Sequence, residues 1–129
     1  MILVDGGTRR QRDLAYNVAS FAWKQLMPRI RNCFVYIELK KLKGYHGTCL
    51  DSDERTYVIE VDKKLDLEDF ITTIFHEMVH VKQYVRKELF SECNFYDSHE
   101  EYMNLPWEVE AYEMQEVLLE RWNTRSVNR

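Results

Sequence analysis

His76, Glu77 and His80 form the run H-E-x-x-H, inside a segment whose pattern predicts a helix. One helical turn separates the two histidines, so both imidazoles reach a single Zn²⁺ from the same face, and Glu77 points at the water held there. Histidine is scarce, 4 in 129 residues, and two of the four stand at this spacing around a glutamate. Composition alone yields the pattern in roughly a few chains per thousand of this length. The flanking residues are helical in rhythm. Leu67, Phe70, Ile71, Ile74, Met78, Val81 and Val85 make one apolar stripe. His76 and His80 project from nearly the opposite side. In a two-layer domain that side faces water, but Thr72, Thr73, Val79 and Tyr84 make it only weakly polar, so a second element or a ligand is expected against it.

A chain of 129 residues is expected to form one domain, residues 1–129, large enough for a core of its own. Hydrophobic residues make up 45% and aromatics 13%, the balance of a globular protein rather than a disordered tail. The net charge of −4 gives no case for binding a phosphate backbone, so nucleic acid is not expected as a partner. Arg9, Arg10, Arg12, Arg29, Arg31, Lys40, Lys41 and Lys43 do gather in the first third, where a solvated face accounts for them. Cys33, Cys49 and Cys93 are odd in number and form no C-x-x-C pair, which suits free thiols in a reducing, cytoplasmic setting. Met1–Gly7 lacks the basic start and apolar run of a signal peptide, and no stretch approaches a membrane span.

The remaining elements follow from periodicity. Asp5-Gly6-Gly7-Thr8 reads as a turn whose threonine caps an amphipathic helix running to Met27, ahead of Pro28. Asn32–Lys40 alternates as a strand, a short strand is expected near Thr48–Leu50, and Thr56–Asp62 is the clearest strand. This predicts a helix followed by an antiparallel meander. Asp66 caps the helix that carries the motif, with Glu68 and Asp69 in its first turn, and that helix runs to about Lys87. Glu88–Leu105 reads as an ordered, aromatic loop. Pro106 opens the last helix, which reaches about Trp122 before a frayed tail.

A zinc bound by two histidines needs a third protein ligand, leaving one position for water. The compact three-histidine pattern is excluded, because Gln83 and Arg86 occupy its downstream positions. His46 and His99 are the other histidines. Among acids, Glu108 and Glu110 open the last helix, where they also suit its dipole. They flank the Trp107, Ala111 and Met114 stripe on opposite sides, so periodicity does not choose between them.

His76-Glu77-Met78-Val79-His80 followed by Pro106-Trp107-Glu108-Val109-Glu110-Ala111 resembles small gluzincin-type zinc metallopeptidases. The likeness is greatest to the compact SprT-like and ImmA-like domains of phage and bacterial genomes, and it spans about Thr56 to Met114. It implies an α+β, zincin-like fold: an N-terminal helix, a small antiparallel-rich sheet, the H-E-x-x-H helix and a C-terminal ligand helix. The E-x-x-A pattern of that family implies Glu108 as third ligand, with Ala111 allowing close helix packing and Glu110 the rival. Tyr112 stands where many relatives carry an Asp or Asn that supports a metal histidine. The resemblance further implies peptide-bond hydrolysis of a protein or peptide substrate, with Glu77 as general base toward a zinc-bound water. Tyr102, His99 and Tyr112 are the candidates for a second oxyanion donor. The Thr56–Asp62 strand is expected at the sheet edge above the cleft, where an extended substrate adds a strand. Two other readings stay open. One is a zinc-stabilised binding or regulatory module with a metallopeptidase fold, against which the retention of Glu77 argues; the other is a metal-free helical domain with a chance motif.

Overall fold

The computed structural model describes residues 1–88 and 102–125 of the 129. In chain order they form β1 (Ile2–Gly6), α1 (Arg9–Leu26), β2 (Phe34–Lys40), β3 (Gly47–Asp51), β4 (Thr56–Asp62), α2 (Leu67–Val85) and α3 (Pro106–Thr124). Among the described residues the fold is α+β, three helices on a four-stranded mixed sheet ordered β1-β2-β4-β3.

The sheet departs from the antiparallel-rich meander expected above. β1 pairs parallel with β2, β2 pairs parallel with β4, and only β3 runs antiparallel, against β4. Chain connectivity explains this. α1 is the crossover that parallel neighbours require, returning the chain from β1 to the start of β2. β3 then forms a hairpin with β4, and β4 slots between β2 and β3 in register Ile37↔Ile59 and Cys49↔Ile59. The tight hairpin end puts Glu54 and Arg55 at φ of 47° and 60°. β4 is therefore interior, paired on both sides, and the edge strand beyond it is β3, with β1 at the opposite edge. β1 itself went unrecognised, because Ile2, Leu3 and Val4 are too short a run to register as a strand; Gly6, read as a turn, ends it at φ 87°.

Period-two alternation places Val35, Ile37 and Leu39 of β2 and Tyr57, Ile59 and Val61 of β4 on one buried face. α1 joins the same core through small residues, Ala15, Val18, Ala19 and Ala22, all fully buried, and packs against β1 and α2. Thr8 caps it as predicted: Gln11 N donates to Thr8 Oγ1, and Thr8 N donates to Gln11 Oε1.

α2 is the central helix. Asp66 caps it by accepting from Asp69 N at 2.8 Å, and eleven of its nineteen residues are buried. The apolar stripe from Phe70 to Val81 faces the core as expected, while Leu67 at its start is exposed; the opposite side does not face water. α3 lies against it, which is why Glu77, His80 and Gln83 are buried. Phe21 of α1, Phe75 of α2 and Trp122 of α3 join the three helices through ring contacts of 5.5 to 6.2 Å. Most of the loop expected over 88–105, with Cys93 and His99, lies outside the described residues, as does the end of the tail. Cys33 and Cys49 are free. No helix among the described residues is long and apolar enough to cross a membrane.

Candidate metal centre

His76 and His80 are one turn apart on α2, and their rings approach edge to face at 4.9 Å between centroids. α3 brings Glu108 between them. Glu108 Oε1 lies 3.2 Å from His76 Nε2, and Oε2 lies 3.0 Å from His80 Nε2. The donor atoms of the three side chains all lie within 4.8 Å of one another. Two ligands held about 2.0–2.1 Å from a tetrahedral ion stand about 3.3 Å apart, close to each of the two histidine–carboxylate separations.

Hydrogen bonds behind the rings say which nitrogens face inward. His80 Nδ1 is 2.7 Å from Gln83 Oε1, and His76 Nδ1 is 2.8 Å from Gln115 Oε1. An amide oxygen only accepts, so both Nδ1 atoms carry the proton. In the neutral rings the Nε2 lone pairs then point at an ionised carboxylate. Acceptors meeting acceptors in a buried pocket need a proton or a cation between them. The three residues can therefore hold a metal ion. Burial pushes the Glu108 carboxyl up, but the hydrogen bonds to His76 and His80 outweigh it and bring it down to about 2. Burial likewise opposes charge on His80, and the Glu108 hydrogen bond reverses this, leaving its pKa raised.

Glu77 sits on the same helix, 5% exposed, and lines the cleft beside the three. Burial raises its pKa above the usual carboxylate range, only partly offset by the nearby histidines. The cleft is about 740 Å³. Edge strand β3 forms one wall, with Gly47, Thr48 and Cys49; Tyr102, Trp107 and Tyr112 form the other. A side chain at Gly47 would collide with Thr73 Cγ2 at 2.7 Å and the Glu60 carbonyl oxygen at 2.8 Å, so the glycine lets β3 pass close over α2.

Of the two acids left open above, Glu108 is the one that meets both histidines. Glu110 points away, accepting from Lys82 Nζ and from Gln83 Nε2, each at 2.8 Å. His46 lines the cleft wall outside the three-residue group. Tyr102 Oη donates to Glu108 Oε2 at 3.3 Å, and the Tyr112 ring packs 4.6 Å from the His76 ring. Ala111 is fully buried. The residues that sequence reasoning missed are Gln83 and Gln115. Both had a signal: Gln83 follows His80 by three positions, and Gln115 follows Glu108 by seven, so each shares a helix face with a candidate ligand.

The chain matches no protein-family model, no curated protein and no solved structure, and the chemistry of the site rests on its own residues.

Proposed function

We propose that this chain is a zinc-dependent metallopeptidase of the SprT-like or ImmA-like kind, acting on proteins or peptides in the cytoplasm. The observation that carries the reading is the convergence of His76, His80 and Glu108 on one point beside a buried, otherwise uncommitted Glu77. A binding or purely structural metal site has no use for that carboxylate.

When bound, zinc supplies Lewis acidity and a water made acidic enough to attack at neutral pH. The protein supplies the rest. His76 and His80 present Nε2, locked by Gln115 and Gln83. Glu77 accepts the proton of the attacking water and delivers it to the departing amine. Its raised pKa suits it to both transfers, because a stronger base than an exposed glutamate takes the proton more readily. β3 offers its free edge for main-chain pairing with an extended substrate, aligned along the cleft. Tyr102 Oη, already directed into the centre, is the described donor best placed toward a developing oxyanion.

Zinc content per chain, measured on wild type and on His76→Ala, His80→Ala, Glu108→Ala and Glu77→Gln, tests this. The expected result is one zinc in wild type and Glu77→Gln, loss in the other three, and casein cleavage in wild type alone. A wild-type chain that takes up no zinc on reconstitution overturns the reading. Zinc binding with equal cleavage by Glu77→Gln overturns the role of that carboxylate.

A further inference from the structure

The reading of His76, His80 and Glu108 as metal ligands leaves unexplained why an ion pair and a buried glutamine lie directly behind His80. We propose that Glu110 and Lys82 are positioning residues of the metal centre: they fix which way the Gln83 amide faces, and so which His80 nitrogen is presented to the metal.

A glutamine amide can turn over without changing shape, exchanging its oxygen and its NH₂. Gln83 is fully buried, so its partners alone decide. On one side stands His80 Nδ1, which donates or accepts according to tautomer. On the other stand the Trp107 carbonyl oxygen at 2.9 Å and Glu110 Oε1 at 2.8 Å. Both of these only accept. The NH₂ group must face them, Oε1 must face His80, and the His80 proton must sit on Nδ1. Nε2 is then free of hydrogen at the point where it faces Glu108, 3.0 Å away. With the amide reversed, NH₂ would meet Nδ1, the proton would move to Nε2, and the ring could not bind a metal through that atom.

Glu110 supplies the charged half of this lock, and Lys82 holds it in place. Lys82 Nζ lies 2.8 Å from Glu110 Oε2 and 2.8 Å from Glu88 Oε1, so the cation bridges α3 to the residues just after α2. His76 has a weaker arrangement. Among the described residues, the NH₂ of its partner Gln115 reaches the neighbouring Glu116, at 3.2 Å and in an exposed setting. The lock therefore acts on His80 and leaves His76 independent.

The test reads the tautomer without metal. Ring-nitrogen shifts in ¹⁵N-histidine-labelled, metal-free protein, at a pH where both imidazoles are neutral, are recorded for wild type, Glu110→Ala and Lys82→Met. Wild-type His80 is expected protonated on Nδ1; Glu110→Ala is expected to populate the Nε2-protonated form, Lys82→Met less so, with His76 unchanged in each. Zinc affinity by chelator competition is expected to fall about tenfold in Glu110→Ala, the lower end of outer-shell effects. Glu110→Met keeps the bulk of the side chain and removes the acceptor. It is expected to shift the His80 tautomer and weaken zinc binding as Glu110→Ala does, which a mere packing role would not produce. If Glu110→Ala is too unstable to study, Glu110→Met and Lys82→Met carry the test. An unchanged His80 tautomer in the variants, with ordinary zinc binding by wild type, overturns the lock alone. Absence of zinc binding in wild type overturns the metallopeptidase reading instead, whatever the tautomer does.

Discussion

Gly47 on the edge strand and Glu77 on the central helix are near neighbours: a methyl group at Gly47 would lie 3.4 Å from Glu77 Oε2. The wall of the cleft and its candidate base are thus packed together, and β3 can run this low only because position 47 has no side chain. Gly47→Ala is expected to push the strand off Thr73 and the Glu60 carbonyl and to cost about 1–3 kcal/mol, the usual penalty of overpacking. Urea unfolding checks this through a lower midpoint at unchanged slope. A variant as stable as wild type would show that the strand yields freely.

Glu77 should weaken the metal-free fold. Burial raises its pKa, so the folded state resists ionisation that the unfolded chain accepts from its ordinary value of 4.5 upward. Its contribution falls as pH rises above 4.5, through the folded value. Glu77→Gln keeps the shape and removes the charge. The metal-free variant is expected to be more stable than metal-free wild type at pH 7, by on the order of 1 kcal/mol. Thermal unfolding in chelator measures the difference, and a less stable variant would contradict it.

Two further groups shape the pH dependence of the metal-free protein. Glu108 titrates at about 2 instead of 4.5, so its stabilisation is complete above pH 4.5 and is lost as pH falls toward 2. His80 is shifted above 6.5, so its stabilisation is complete below pH 6.5 and is lost as pH rises through the folded value. With Glu77 also falling away upward, the contribution of these three groups is greatest near the lower end of the window from pH 4.5 to 6.5. Zinc should reverse the alkaline loss, because it replaces the proton on His80 Nε2. The gap in melting temperature between zinc-loaded and chelated protein is expected to widen from pH 6 to pH 8. A constant gap would show that no histidine proton is displaced.

Much of this was legible in the sequence, for reasons that differ by element. The motif helix and its Asp66 cap could be read because capping and 3.6-residue periodicity are local. So could Pro106 at the first position of α3. The sheet order could not, because parallel pairing of β1, β2 and β4 depends on where a crossover helix lands. Glu108 and Glu110 were indistinguishable by spacing; the choice is made by how α3 seats on α2, which rests on distant contacts such as Phe75 with Trp122. Buried amides were hardest to see. Gln83 in a helix sequence reads as surface, and only the acceptors of α3 behind it give it work.

Tyr102 offers a separable test of the chemistry. Its hydroxyl donates to Glu108 Oε2 across 3.3 Å, a long bond to a carboxylate already engaged by two histidines. Burial and then the Glu108 charge raise its pKa, so it keeps its proton as a donor throughout the working range. Tyr102→Phe is expected to lower kcat about 10²-fold, the scale of losing one oxyanion donor, with KM and zinc content nearly unchanged. Loss of zinc in this variant would instead make the hydroxyl a support for Glu108.

Trp122 follows Gln115 by seven positions on α3 and touches neither histidine's hydrogen-bond partners among the described residues, yet it should affect the histidines. Its ring is 8% exposed and meets Phe21 at 5.5 Å and Phe75 at 6.2 Å. Trp122→Ala is expected to cost about 3–5 kcal/mol through the cavity left at the junction of three helices. The same junction seats α3, and α3 carries Glu108 and Gln115. Even where the variant is fully folded, zinc affinity should therefore be lower than in wild type, while Tyr16→Ala, at a site 50% exposed on α1, should change neither property. Unfolding and chelator competition on the same samples distinguish the two effects. A destabilised variant with wild-type affinity would mean that the contacts of Lys82, Gln83 and Glu110 hold the start of α3 in place without help from its far end.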